Sequence, residues 1–412
     1  MDRLDIHGRQ RRLELAVQGV RSSRLISERN KRLILEFCSY CSAEGLSVDR
    51  IEHLVRCLKK IAEMLGKNFD EADREDIVEV VRRIEARRIS AWTKHDYRAA
   101  LKKFYKWLKG GGDEYPEEVK WIKLREVRTQ KLPEELLTEH DVKKMIRAAS
   151  NPQMKALIAV LWETGMRVGE LLNLRIKHVE PEEKYAKIVV NGKTGMRRVI
   201  ILFAWPYLIQ WLNVHPRSDD PEAPLWITVS GSPLKYPALR KKLIQLARKA
   251  EVRKKVNPHM FRHSRATYLS QHLTEAQLSQ YMGWIQGSRM PRIYVHMSSR
   301  DLLKPLLSLY GLEEAEKARK PELRPVACWK CGSLNPADAS VCSSCGSYLN
   351  LESAIKAEEE QKRKLRELEE KLEEERSIRR EYEKRLVRVE SILDEFLRLM
   401  KEIKLQSSVT HG

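Results

Sequence analysis

Residues 352–404 constrain the chain more than any other stretch. They hold 16 acidic and 15 basic residues, and apolar side chains recur in steps of three and four: Leu365, Leu368, Leu372, then Tyr382, Leu386, Val389, Leu393, Phe396, Met400 and Ile403. Glu375 and Arg379 carry the same register through the middle as polar breaks. A stretch this charged has a single apolar stripe and no second face to build a core on. The 3.5-residue period predicts a coiled coil over 351–405, followed by a short tail, 406–412. Any globular fold must come from what precedes it.

Charge divides the same way. The chain carries a formal +20 over 412 residues. The helical stretch is close to neutral, so the basic surface belongs to the first 351 residues. Such a surface favours a polyanionic partner, nucleic acid before an anionic membrane. No run of eighteen apolar residues occurs, and the opening "MDRLDIHGRQRRLELAVQ" has no apolar signal core. The expectation is a cytoplasmic protein with no membrane partner.

The pattern C-x2-C-x10-C-x2-C formed by Cys328, Cys331, Cys342 and Cys345 suits four thiolates around a structural Zn2+ in a ribbon, 327–350. Gly332 and Gly346 follow the second and fourth cysteines, where knuckle turns need them. Four protein ligands close the coordination shell, which suits structure rather than catalysis. Cys38, Cys41 and Cys57 complete an odd total of seven, which argues against a disulfide framework. Cys38 and Cys41 read as buried packing.

Residues 1–22 read as a basic, polar lead-in. Four helical patterns follow over 23–112, opened by serines such as Ser47 and Ser90 and closed by Gly45, Gly66 and Gly110. They predict a small helical domain with basic faces. A polar stretch, 113–137, reads as a linker. A second, mostly helical domain runs over 138–312 and holds one hairpin, "KIVV" and "RRVIIL" joined by the turn "NGKTGM". A further linker, 313–326, precedes the ribbon. The expected fold class is mainly α with a small β-hairpin or sheet in the second domain.

Four features of that domain combine. Arg167 sits in "ETGMRVGELLNL", where one helix ends and the next begins. Lys193 lies at the hairpin tip. A phosphate-binding loop is excluded there, because Lys187 stands where that motif needs glycine and a strand follows instead of a helix. His259 and Arg262 are three apart in "NPHMFRHSRAT" and share a helix face, with His263 and Arg265 pointing elsewhere. Trp284 and Tyr294 lie in "MGWIQGSRMPRIYVHMS". Taken singly, each has an ordinary surface or packing role. Together they supply what phosphodiester cleavage needs. Arginine forks hold nonbridging oxygens, and fixed donors stabilise developing charge. A nucleophile and an acid complete the set.

The order and spacing of these residues resemble the tyrosine recombinases, the family of phage integrases and Xer-type recombinases, over roughly residues 20–312. The resemblance implies a helical core-binding domain and a catalytic domain that clamp double-stranded DNA. Arg167 is then the first catalytic arginine, His259 and Arg262 match the family's His-x-x-Arg motif, and Trp284 donates its indole N–H to the phosphate. Lys193 is implied as general acid to the leaving 5′ oxygen and Tyr294 as nucleophile. Glu170 and His263 are structural companions. The resemblance also implies no catalytic metal or nucleotide, a tetramer on paired sites, and strand exchange through a Holliday junction. The ribbon and coiled coil lie outside the family pattern; the coil would pre-pair subunits as a dimer. Two other readings stand beside this one: a type IB topoisomerase-like nicking and relaxing enzyme, and a noncatalytic architectural DNA-binding protein.

Overall fold

The computed structural model describes residues 5–110, 112–124, 133–192, 195–288, 290–297 and 321–409. The chain divides into two units, Met1–Glu322 and Leu323–Gly412. Among the described residues no helix is long and apolar enough to cross a membrane.

The first unit opens with helices α1 (Arg9–Arg21), α2 (Glu28–Ala43), α3 (Val48–Leu65), α4 (Arg74–Ala86) and α5 (Ala91–Leu108). Their starts follow from capping. Ser27 and Ser90 accept the N–H of Asn30 and Thr93, and Asp73 closes a capping box with Asp76. Gly66 ends α3 at φ 70°, a left-handed position that suits glycine. The core joins Leu33, Ile34 and Phe37 of α2 to Leu54, Leu58 and Ile61 of α3, Ile77 and Ile84 of α4, and Leu101 and Phe104 of α5. Cys41 and Cys57 lie inside it, and burial pushes their thiols up to about 11 and about 12.

Two boundaries differ from the sequence reading. The supposed lead-in contains α1, which packs against α3. Its arginines and glutamines hide a narrow stripe of Leu13, Ala16 and Val20 at helical spacing, with Val20 fully buried. The linker contains α6 (Glu117–Lys120), whose Val119, with Ile122 beyond it, enters the same core. The segment before α1 also touches the second domain: the Tyr236 N–H donates to the Ile6 carbonyl at 3.1 Å.

The catalytic-type domain begins at α7 (Glu139–Ala148), capped by Thr138 and Asp141. Helix α8 (Pro152–Thr164) is apolar nearly all round and forms the centre of the core. After α9 (Val168–Leu172) come three antiparallel strands, β1 (Val179–Pro181), β2 (Ala186–Gly192) and β3 (Gly195–Ile201). The β2–β3 register runs from Ala186↔Ile201 to Gly192↔Gly195, so the paired strands are longer than the sequence suggested. Strand β1 was not foreseen, because three residues are too few to show alternation. Helices α10 (Trp205–Asn213), α11 (Tyr236–Lys249), α12 (Pro258–Leu269), α13 (Glu275–Met282) and α14 (Met290–Met297) complete the domain.

In the second unit, β4 (Val326–Ala327) pairs antiparallel with β5 (Leu334–Asn335), and α15 (Leu351–Val409) runs as one unbroken helix of 59 residues. Leu365, Leu368, Leu372, Tyr382, Leu386, Val389, Leu393, Phe396 and Met400 are all exposed along it.

Candidate active site

Helix α8 ends at Gly165, left-handed at φ 53°, and the chain reverses so that Arg167 becomes the N-cap of α9. The Arg167 backbone N–H donates to Glu170 Oε2 at 2.9 Å and its Nη1 to Glu170 Oε1 at 3.0 Å. Both Nη atoms also reach the Gly283 carbonyl at 3.4 Å. Glu170 is buried, and its two oxygens also accept Nη1 and Nη2 of Arg197 at 3.2 and 2.9 Å. Burial raises the Glu170 pKa, but the Arg197 bond and charge, joined by Arg167, outweigh it and hold the carboxyl below its usual range. Two glycines make room for this bridge. A Cβ on Gly192 would stand 2.6 Å from Glu170 Oε1, and one on Gly283 would stand 2.5 Å from Arg197 Nη1.

Arg262 is only 5% exposed on α12. Its Nη1 donates to the Gly165 carbonyl at 2.9 Å and its Nη2 to the Met282 carbonyl at 2.8 Å. It thus ties the C-terminal ends of α8 and α13 together, where carbonyls lack intrahelical partners. Burial and the nearby Arg167 charge lower its pKa to about 10, which leaves it protonated at neutral pH. Its guanidinium lies 5.5 Å from the Trp284 ring centroid. Trp284 in turn stacks on Tyr294, with centroids 5.1 Å apart and planes 10° from parallel.

Tyr294 is 1% exposed. Ser270 Oγ donates to its backbone carbonyl at 3.2 Å, which fixes α14 against α12. Burial raises the phenol pKa to about 12, against the opposing pull of Arg262. Its hydroxyl lies 2.6 Å from Nδ1 of His263, and His263 Nε2 lies 2.8 Å from His259 Nε2. This corrects the sequence reading. His263 does not point away from the site; one helical turn beyond His259, it faces the tyrosine. The i, i+4 spacing was the available signal. Arg197 and the bridging role of Glu170 were also missed, since nothing in the sequence brings Arg197 to α9.

The structure therefore brings Arg167, His259, Arg262, Trp284 and Tyr294 into one region. Lys193 lies outside the described residues; its neighbours Gly192 and Gly195 pair at the end of the hairpin. Another acid behind the site, Glu163, is buried and accepts the N–H groups of Leu202, Phe203 and Ala204 at 2.9, 3.1 and 2.7 Å. It holds the end of β3 and the start of α10 against α8.

In the second unit the four ribbon thiols lie within 4.8 Å of one another. The pairs Cys328–Cys345 and Cys331–Cys342 are 3.6 Å apart. A tetrahedral ion with Zn–S bonds of about 2.3 Å needs sulfurs about 3.8 Å apart. The donor set therefore fits a tetrahedral metal. Each half repeats one turn: Gly332 N–H donates to the Cys328 carbonyl and Gly346 N–H to the Cys342 carbonyl, both at 2.9 Å, with both glycines left-handed.

A helical domain followed by a helical catalytic domain with a hairpin, in which two arginines, a histidine and a tryptophan gather round a buried tyrosine, defines a tyrosine recombinase. The phage integrase family model matches residues 135–300, and the phage integrase N-terminal SAM-like domain matches 34–112. The chain belongs to the phage integrase family. It is 26% identical over 275 residues to the tyrosine recombinase XerA of Pyrococcus horikoshii, covering 66% of this chain and 92% of the relative. It is also 26% identical over 264 residues to XerH of Campylobacter jejuni, covering 60% and 74%. The fold is similar to XerH bound to its difH substrate (TM-score 0.50, 22% identity, 76% of this chain and 98% of that one). It is likewise similar to a lambda integrase tetramer bound to a Holliday junction (TM-score 0.52, 12% identity, 66% and 78%). Both family matches end before the ribbon and α15.

Proposed function

We propose that this enzyme is a site-specific recombinase of double-stranded DNA and that Tyr294 is its nucleophile. Tyr294 Oη attacks the scissile phosphorus in line and forms a 3′-phosphotyrosyl link as the P–O5′ bond breaks. The 5′ oxygen leaves with a proton from Lys193. A 5′ hydroxyl from the partner duplex reverses the step, so bond energy is conserved and no nucleotide is consumed. Two rounds pass through a Holliday junction within a tetramer. Arg167 and Arg262 each keep guanidinium donors beyond those spent on carbonyls and Glu170, enough to fork a phosphate. Trp284 supplies a further N–H. One observation carries the reading: a buried tyrosine hydroxyl within the field of Arg262, which is fixed between the ends of α8 and α13 and lies close to Arg167. The comparisons lend nothing to a relaxing enzyme or to an architectural protein.

In the second unit, Zn2+ held by Cys328, Cys331, Cys342 and Cys345 would supply folding energy to the ribbon and no chemistry. The apolar stripe of α15 pairs with a second copy and raises the local concentration of the partner subunit. The protein works in the cytoplasm, on prokaryotic DNA.

A nicked suicide substrate tests the reaction. The wild-type chain should form a covalent adduct and recombine two sites. Tyr294→Phe should form none, while its DNA affinity stays within a few-fold, because affinity rests on phosphate contacts by arginine and lysine. An adduct with the Phe variant removes Tyr294 from the role.

A further inference from the structure

We propose that His263 is the base that accepts the Tyr294 proton, held in the competent tautomer by His259. This rests on the reading of Tyr294 as nucleophile.

Attack needs a base. With the phenol pKa at about 12, on the order of one hydroxyl in a hundred thousand is ionised at pH 7. The groups gathered round Tyr294 offer few acceptors. Arg262 is a donor only, and the Trp284 ring face, stacked on the phenol, has no lone pair to give. Among the described residues, His263 Nδ1 is the hydrogen-bond partner of the hydroxyl, at 2.6 Å. Among the described residues, the family-type histidine, His259, bonds His263 rather than the hydroxyl.

The tautomers follow from the chain of bonds. With the hydroxyl as donor, His263 Nδ1 carries no proton, so a neutral ring is protonated at Nε2. That N–H then donates to His259 Nε2, which places the His259 proton on Nδ1. As Oη bonds to phosphorus, the Oη–H bond breaks and its proton passes to Nδ1. The resulting imidazolium keeps its Nε2–H on His259. The P–O5′ electrons leave with the 5′ oxygen, which takes the Lys193 proton. On rejoining, the imidazolium returns its proton to Oη as the tyrosine departs. His263 is half-buried and His259 exposed, so the pair borders the surface from which a phosphate arrives.

The test uses the full chain and single-turnover cleavage of a suicide substrate. His263→Asn keeps an acceptor near the Nδ1 position but takes no proton. Cleavage should fall on the order of a hundredfold, the usual worth of a general base, with melting temperature and DNA affinity near wild type. A ring-fluorinated tyrosine at position 294, whose hydroxyl is more acidic, should recover at least about tenfold of that loss. Should His263→Asn unfold the chain, His263→Gln carries the same comparison. Cleavage within about threefold of wild type overturns the proposal, as does a slow variant that the fluorinated tyrosine leaves unchanged, since that marks a packing role. Failure of the wild-type chain to form an adduct would instead sink the reading of Tyr294 itself.

Discussion

Arg262 reaches carbonyls 97 and 20 residues away along the chain, and Arg167 reaches one 116 residues away. In the ribbon, the most distant thiol contact, Cys328 to Cys345, spans 17 residues. The catalytic centre is thus a product of the core: α8, α12, α13 and α14 must pack before its side chains meet. The ribbon needs no such core. Its thiols are brought together by two short repeated turns, and a metal held by them would supply the energy that burial supplies elsewhere. One region depends on remote packing and the other on four local ligands, so they should fail independently.

The widest separation between them should come from metal removal. A strong chelator, or Cys342→Ser, should unfold the ribbon altogether, because metal binding and folding are one event in such modules. Cleavage should stay within about twofold. Heteronuclear NMR of ribbon amides, with the cleavage assay alongside, reads both. Loss of cleavage on chelation would break the contrast.

Next in size is Arg262→Ala. Losing a transition-state donor costs about a hundredfold or more in cleavage. Arg262→Lys should rescue poorly, because one ammonium cannot hold two carbonyls and a phosphate. Arg167→Ala should show the same order of loss with less damage to stability, since Arg167 is about a third exposed. Equal melting temperatures for the two Ala variants would argue against Arg262 as the tie between α8 and α13.

Gly283→Ala should then lower stability by about 2 kcal/mol, from a left-handed φ of 64° and a Cβ driven into Arg197. Thermal unfolding would show it. An unchanged melting temperature would mean that Arg197 yields freely and does not hold the bridge to Glu170.

The smallest effect is in acid. Glu170 titrates below its unfolded value, so its contribution is whole above about pH 4.3 and fades as pH falls through the lowered folded pKa. Glu163 has the opposite sign, because burial raises its pKa against the pull of its three backbone N–H donors, so its contribution is present at low pH and fades as pH rises. Glu170→Gln should therefore flatten the loss of melting temperature below about pH 4.5 relative to wild type. Parallel curves would remove Glu170 from acid sensitivity.

The same contrast explains what the sequence disclosed. Local features were readable: the serine caps, the αL glycines, the hairpin and the cysteine spacing each depend on a few neighbouring residues. Arg167, His259, Arg262, Trp284 and Tyr294 were readable as residue types in order, but their contacts were not. Arg197 meets Glu170 only because β3 folds back on α9. The direction of His263 depends on where α14 comes to rest, and a three-residue face rule pointed it the wrong way. Helix α1 was missed for a different reason: its apolar stripe is one residue wide amid arginines.

At about 1.5 Å per residue, the 59 residues of α15 make a rod about 88 Å long. Paired with a second copy, such a rod would act as a ruler whose reading depends on polarity. Two such helices running in parallel would bring their ribbons side by side. Running antiparallel, they would hold the ribbons apart by the length of about 26 base pairs of duplex at about 3.4 Å each. The polarity of such a seam would thus set the distance between the two ribbons.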